Sequence, residues 1–83
     1  MMKMNIRKIR KIDNTEQRIE FLKKFDYYIK DTIGDDEITD EWLMLGLPDE
    51  YNEKDLEDIA LDDDLWLSCV ECFKNCCKNA GVI

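Results

Sequence analysis

From Leu65 to Ala80 the chain repeats its apolar residues at helical intervals, and this stretch constrains the fold more than any other. Advanced by 100° per residue, Leu65, Trp66, Cys69, Val70, Cys72, Phe73, Cys76, Cys77 and Ala80 fall within an arc of about 160°. Glu71, Lys74, Asn75 and Lys78 lie opposite. A helix with so broad an apolar face must bury it against other elements. A second stretch supplies a partner: Ile19, Phe21, Leu22, Phe25, Tyr28, Ile29 and Ile33 occupy an arc of about 180°, facing away from Glu20, Lys23, Lys24, Tyr27, Lys30 and Asp31. The sequence therefore predicts an all-α fold, a small helical bundle built on two long amphipathic helices at 15–32 and 63–79.

Punctuation agrees with that reading. Asp13-Asn14-Thr15 before Glu16-Gln17 and Asp62-Asp63-Asp64 before Leu65 offer cap oxygens and negative charge to helix N-termini, while Gly34 and Gly81 close the two helices. Between them Asp35-Asp36-Glu37 reads as a loop, and Thr39 as the cap of a short helix, 39–45, stopped by Gly46 and Pro48. Asp49-Glu50-Tyr51 reads as a linker. Asn52, with Asp55 three residues on, opens a second short helix, 53–60, that buries Leu56, Ile59 and Ala60 and exposes Glu53, Glu57 and Asp58. Residues 1–12 carry Ile6, Ile9 and Ile12 among Lys3, Arg7, Lys8, Arg10 and Lys11, which suits a short basic helix, an edge strand or an arm. At 83 residues the chain is read as a single domain, 1–83, with one modest core.

The basic start lacks a continuous apolar h-region and no stretch approaches the ~20 apolar residues of a membrane span, so a cytoplasmic location is expected. All four cysteines lie between Cys69 and Cys77 rather than spread to close loops, which favours reduced thiols. Cys69-x-x-Cys72 with Cys76 and Cys77 invites a metal or redox reading. On one helix, however, Cys69 and Cys76 stand about 10 Å apart along the axis, and all four fall inside the apolar arc, where cysteine packs as a small hydrophobe. An EF-hand reading from Asp31 fails at positions three, six and twelve, where Ile33, Asp36 and Trp42 stand. With no histidine, phosphate loop or nucleophile motif, no catalytic residue, metal or cofactor is assigned.

The remaining feature is charge. Residues 1–30 hold nine Lys/Arg against four Asp/Glu, residues 31–64 one against fifteen, and the whole chain carries −8. The acidic middle predicts a docking surface for a protein with a basic face, with Asp36, Glu37, Asp40, Glu41, Glu53, Glu57 and Asp58 as contacts and Tyr27 and Tyr51 as aromatic anchors. Carboxylates on successive turns repeat every ~5.4 Å, comparable with the phosphate spacing of a nucleic-acid strand, so a groove built for DNA or RNA would accept them. Two alternatives stand beside it: a homo-oligomer pairing through the aromatic and cysteine face of the last helix, and a regulator touching nucleic acid through its basic N-terminus. Direct nucleic-acid binding is disfavoured by the net charge.

In size, acidity and lack of catalytic parts the chain resembles, at class level, small inhibitors carried by phages and mobile elements, such as anti-CRISPR and anti-restriction proteins. Asp35–Glu41 and Asp49–Asp64 carry the resemblance. It implies a non-enzymatic inhibitor that acts as a nucleic-acid mimic on a nuclease or a related machine.

Overall fold

The apolar arc of the last helix becomes the centre of the molecule. The computed structural model describes residues 6–82, which form α1 (Ile6–Arg10), α2 (Thr15–Tyr27) with a π-helical extension (Tyr28–Ile33), α3 (Asp36–Leu45), α4 (Glu53–Leu61) and α5 (Asp63–Asn79). The fold is all-α, and no strand occurs among the described residues. Every other helix packs on α5; α4 also lies along α2, and α3 touches the π-helical segment. The two long helices thus face each other and the two short ones bridge them, as the sequence predicts.

The core is aromatic. Phe25 stacks on Phe73 with ring centroids 4.1 Å apart, and Trp42 meets both edge-on, at 6.4 Å from Phe25 and 6.1 Å from Phe73. Trp66 lies nearly parallel to Phe25 with centroids 6.2 Å apart. Both tryptophans and all four cysteines are buried, as expected of core positions.

Helix starts follow from side-chain oxygens that accept otherwise unpaired amides. The Gln17 N–H donates to Asn14 at 3.0 Å, and Asp62 accepts from Asp64 and Leu65. Asn52 and Asp55 form a reciprocal capping box. Two boundaries differ from expectation. The stretch expected to be a loop at Asp35-Asp36-Glu37 is the cap and first turn of α3: Asp35 Oδ1 accepts from Glu37 at 3.0 Å and Ile38 at 3.2 Å, so Thr39 lies inside the helix rather than capping it. Acidic side chains suit the positive end of a helix, so their density marks a start as well as a loop. The long helix at 15–32 continues to Ile33, and its last turns are π; Gly34, at φ 63°, donates its N–H to Ile29 O at 3.1 Å and ends it.

Of the basic segment 1–12, residues 6–10 form the helix Ile6–Arg10, with Ile9 buried and Ile6 and Ile12 against the core, and residues 1–5 lie outside the described residues. Lys3, which shared the basic reading, lies outside the described residues.

Two buried charged side chains lock this arrangement, and neither was legible as such. Arg18 donates to the carbonyls of Ile12 (2.7 Å) and Ala60 (2.9 Å) and to Asp63 (2.8 Å), with its guanidinium 5.3 Å from the Trp66 ring centroid. One side chain therefore ties the α1–α2 connection, the end of α4 and the start of α5. Asp26 accepts from Trp42 Nε1–H at 3.0 Å and pairs with Lys30 at 3.2 Å, and Lys30 also reaches Asp49 at 3.4 Å. Partial burial pulls the Lys30 ammonium down, but these two carboxylates outweigh it and hold its pKa above the ordinary lysine value.

Candidate functional site

The seven carboxylates singled out in the sequence fall into two groups. Asp36, Glu37, Asp40 and Glu41 ride on α3, and Glu53, Glu57 and Asp58 on α4. Their i, i+4 spacing puts Asp36 above Asp40, Glu37 above Glu41, and Glu53 above Glu57 on successive turns. The groups sit at opposite ends of α5. Ile38 O lies 3.9 Å from Cys76 Sγ and Glu41 accepts from Asn79 at 3.3 Å, which fixes α3 at the C-terminal end; α4 leads directly into the N-terminus. From Asp63 to Cys76 the helix rises about 20 Å at 1.5 Å per residue, so the acidic middle forms two rows rather than one cluster.

Most of these oxygens face water. Asp36, Glu37, Asp40, Glu57 and Asp58 are exposed and have no cation partner among the described residues. Glu53 is the exception, paired with Lys23 at 2.8 Å, and the bond to Glu53 raises the Lys23 pKa. Glu41 is half-buried.

The two expected anchors part company. Tyr27 is 66% exposed, and a hydrogen bond with Asp31 raises its phenol pKa. Tyr51 is half-buried and packs on the core; burial first, then the charge of Asp26, raises its pKa. It fastens the α3–α4 connection instead of standing free.

Sequence reasoning missed a groove. The outer face of α5, the end of α3 and α1 border two shallow, open hollows, one of about 730 Å³ lined by Leu45, Asp64, Leu67, Ser68, Glu71, Cys72 and Asn75, the other of about 360 Å³ lined by Arg7, Arg10, Lys11 and Leu67. Leu67 belongs to both. At its edge Leu45 is 64% exposed and its neighbour Met44 82%. Only the polarity of the α5 outer face was visible in the sequence; its walls come from elements distant in the chain.

The cysteine face is chemically quiet. Burial pushes the thiols of Cys69, Cys72 and Cys77 up to about 11 and that of Cys76 to about 12, so at neutral pH all four are protonated and weakly nucleophilic. Among the described residues no group of three or more His, Cys, Asp or Glu side chains is placed to hold a metal ion. No helix among them is long and apolar enough to cross a membrane.

The chain matches no family model, no curated protein and no solved structure.

Proposed function

We propose that this chain works by binding: its acidic rows dock on the basic surface of a protein that handles nucleic acid and block it. One observation carries the reading. Five of the seven carboxylates singled out on α3 and α4 are exposed and have no cation partner among the described residues, although the chain as a whole holds twelve Lys/Arg. Rows left unneutralised in this way attract a cationic partner and displace the counterions held by its nucleic-acid groove. Division of the carboxylates between α3 and α4 asks for a partner whose cations are spread over a surface, as they are where a nucleic-acid backbone is followed.

The test uses the intact chain as bait in an extract of its native host, beside the triple variant Asp36→Lys, Asp40→Lys, Glu57→Lys. The wild type retains a protein with a basic nucleic-acid-binding face and the variant releases it. Equal retention of that protein by both baits at low salt contradicts the proposal.

A further inference from the structure

The aromatic and cysteine face of α5, expected to pair with a copy of the chain, is closed, because Trp66, Cys69, Phe73, Cys76 and Cys77 are buried within the chain itself. Its outer face is open and floors the groove described above. One edge is α3. There Leu45 lines the larger hollow opposite Asp64, and Glu41, a turn earlier on the same side of the helix, accepts from Asn79 of α5. The other edge is α1, where Arg7, Arg10 and Lys11 share one face at i, i+3 and i+4 and line the smaller hollow. Leu67 joins the two hollows. Charge is thereby divided across the groove, with the carboxylates of Glu41 and Asp64 on the α3 side and three cations on the α1 side. Arg10 meets Glu71 between them at 3.2 Å, whereas Asp64, Arg7 and Lys11 are exposed and make no ion pair among the described residues.

We propose that the groove docks an amphipathic helix of a partner protein, its apolar stripe on Leu45 and Leu67, its cationic flank on the α3 side and its acidic flank against α1. In such contacts buried apolar anchors supply the affinity and the charges beside them select the partner. The length suits a helix: Asp64 and Asn75 stand about 17 Å apart along α5 at 1.5 Å per residue, roughly three turns of an occupant laid beside it. Charge decides its character. A uniformly basic helix would set cations against Arg7 and Lys11, and a uniformly acidic one would set carboxylates against Asp64 and Glu41, each a like-charge cost. A helix with opposite charges on its two flanks meets both edges. This contact goes beyond the acidic rows of the proposed function: of their seven carboxylates only Glu41 borders the groove, so the two ideas fail separately.

The probe is a synthetic helical peptide with a leucine stripe, lysines along one flank and glutamates along the other, titrated by fluorescence anisotropy against the full chain under reductant at physiological salt. A second peptide keeps the composition but scatters the leucines around the helix. The striped peptide binds, and the scattered one binds about tenfold more weakly or less. Leu45→Asp weakens the striped peptide about tenfold, and so does the pair Arg7→Glu, Lys11→Glu; Asp64→Lys weakens it about fivefold. The pair Asp36→Lys, Glu57→Lys, neither of which lines the groove, stays within about twofold of wild type. All these variants keep the wild-type helical circular dichroism, since the changed side chains are exposed. No binding up to a few hundred micromolar, equal affinity for the two peptides, or indifference to Leu45→Asp or to the charge changes on either edge overturns the proposal. So does a wild type that dimerises in sedimentation velocity and is made monomeric by Leu45→Asp, which would give the groove to a second copy.

Discussion

Trp42 and Trp66 look equivalent by burial and differ in their polar contacts. The indole N–H of Trp42 meets Asp26, whereas that of Trp66 is buried with no acceptor among the described residues. Replacing either by Phe removes the same volume and leaves a ring in place, at position 66 still beneath Arg18, so the difference between the two variants is dominated by the hydrogen bond. Trp42→Phe leaves a buried carboxylate short of a donor and is expected to cost about 1–3 kcal/mol more than Trp66→Phe, read by urea denaturation. Arg18→Met is expected to be among the most damaging single changes, at about 3 kcal/mol or more, because it strands the buried carbonyl of Ala60 and frees the start of α5 from the end of α4. Arg18→Lys rescues little, since an ammonium cannot span Ile12, Ala60 and Asp63 with a fork. Arg18 and Asp26 were illegible in the sequence for a physical reason. The Asp26–Lys30 pair has local i, i+4 spacing, but the contacts that account for burial, Arg18 with Ala60 and Asp63 and Asp26 with Trp42, join distant parts of the chain, and no local pattern encodes those.

Helix ends, by contrast, were legible wherever one side chain does the work. The Asn52–Asp55 box stood in the sequence and stands in the structure; Asn52→Ala is expected to cost about 1 kcal/mol, a fall of roughly 4–8 °C in Tm by calorimetry. The start of α3 was misplaced because acids that cap a helix and acids that fill a loop look alike until the Asp35 bonds are known. Periodicity carried α5 in full, Asp63–Asn79, since its face is buried against four helices at once. The same burial sets its pH dependence. Its thiols, ordinarily near 9, are lifted to about 11 or 12 when folded, so between these values the unfolded chain has lost protons that the native chain keeps. Stability from this source is fully present below about pH 9 and falls as pH rises toward 11–12, by up to about 1.4 kcal/mol per pH unit per thiol. Urea midpoints from pH 8 to 10.5, compared with those of Cys77→Ala, check this; the variant has the shallower slope.

On the scale of the whole molecule, charge rather than shape distinguishes the chain. Its excess of eight negative charges is gathered on α3, α4 and the α4–α5 junction, and the helices that carry it are fixed by the aromatic core beneath. The carboxylates were visible in the sequence, but not their division between the two ends of α5, which depends on the long-range contacts that seat α3 near Cys76 and Asn79. That division predicts that two distant patches share the binding energy. Charge reversal confined to α3 should therefore weaken the complex without abolishing it, and reversal on both helices should do more than either alone. The most direct test is the affinity of the intact chain for its captured partner, measured by titration calorimetry over a range of salt concentrations. Log affinity is expected to fall linearly with log salt for the wild type, and with a clearly smaller slope for the Asp36→Lys, Asp40→Lys, Glu57→Lys variant. An affinity that ignores both salt and charge reversal would contradict the account.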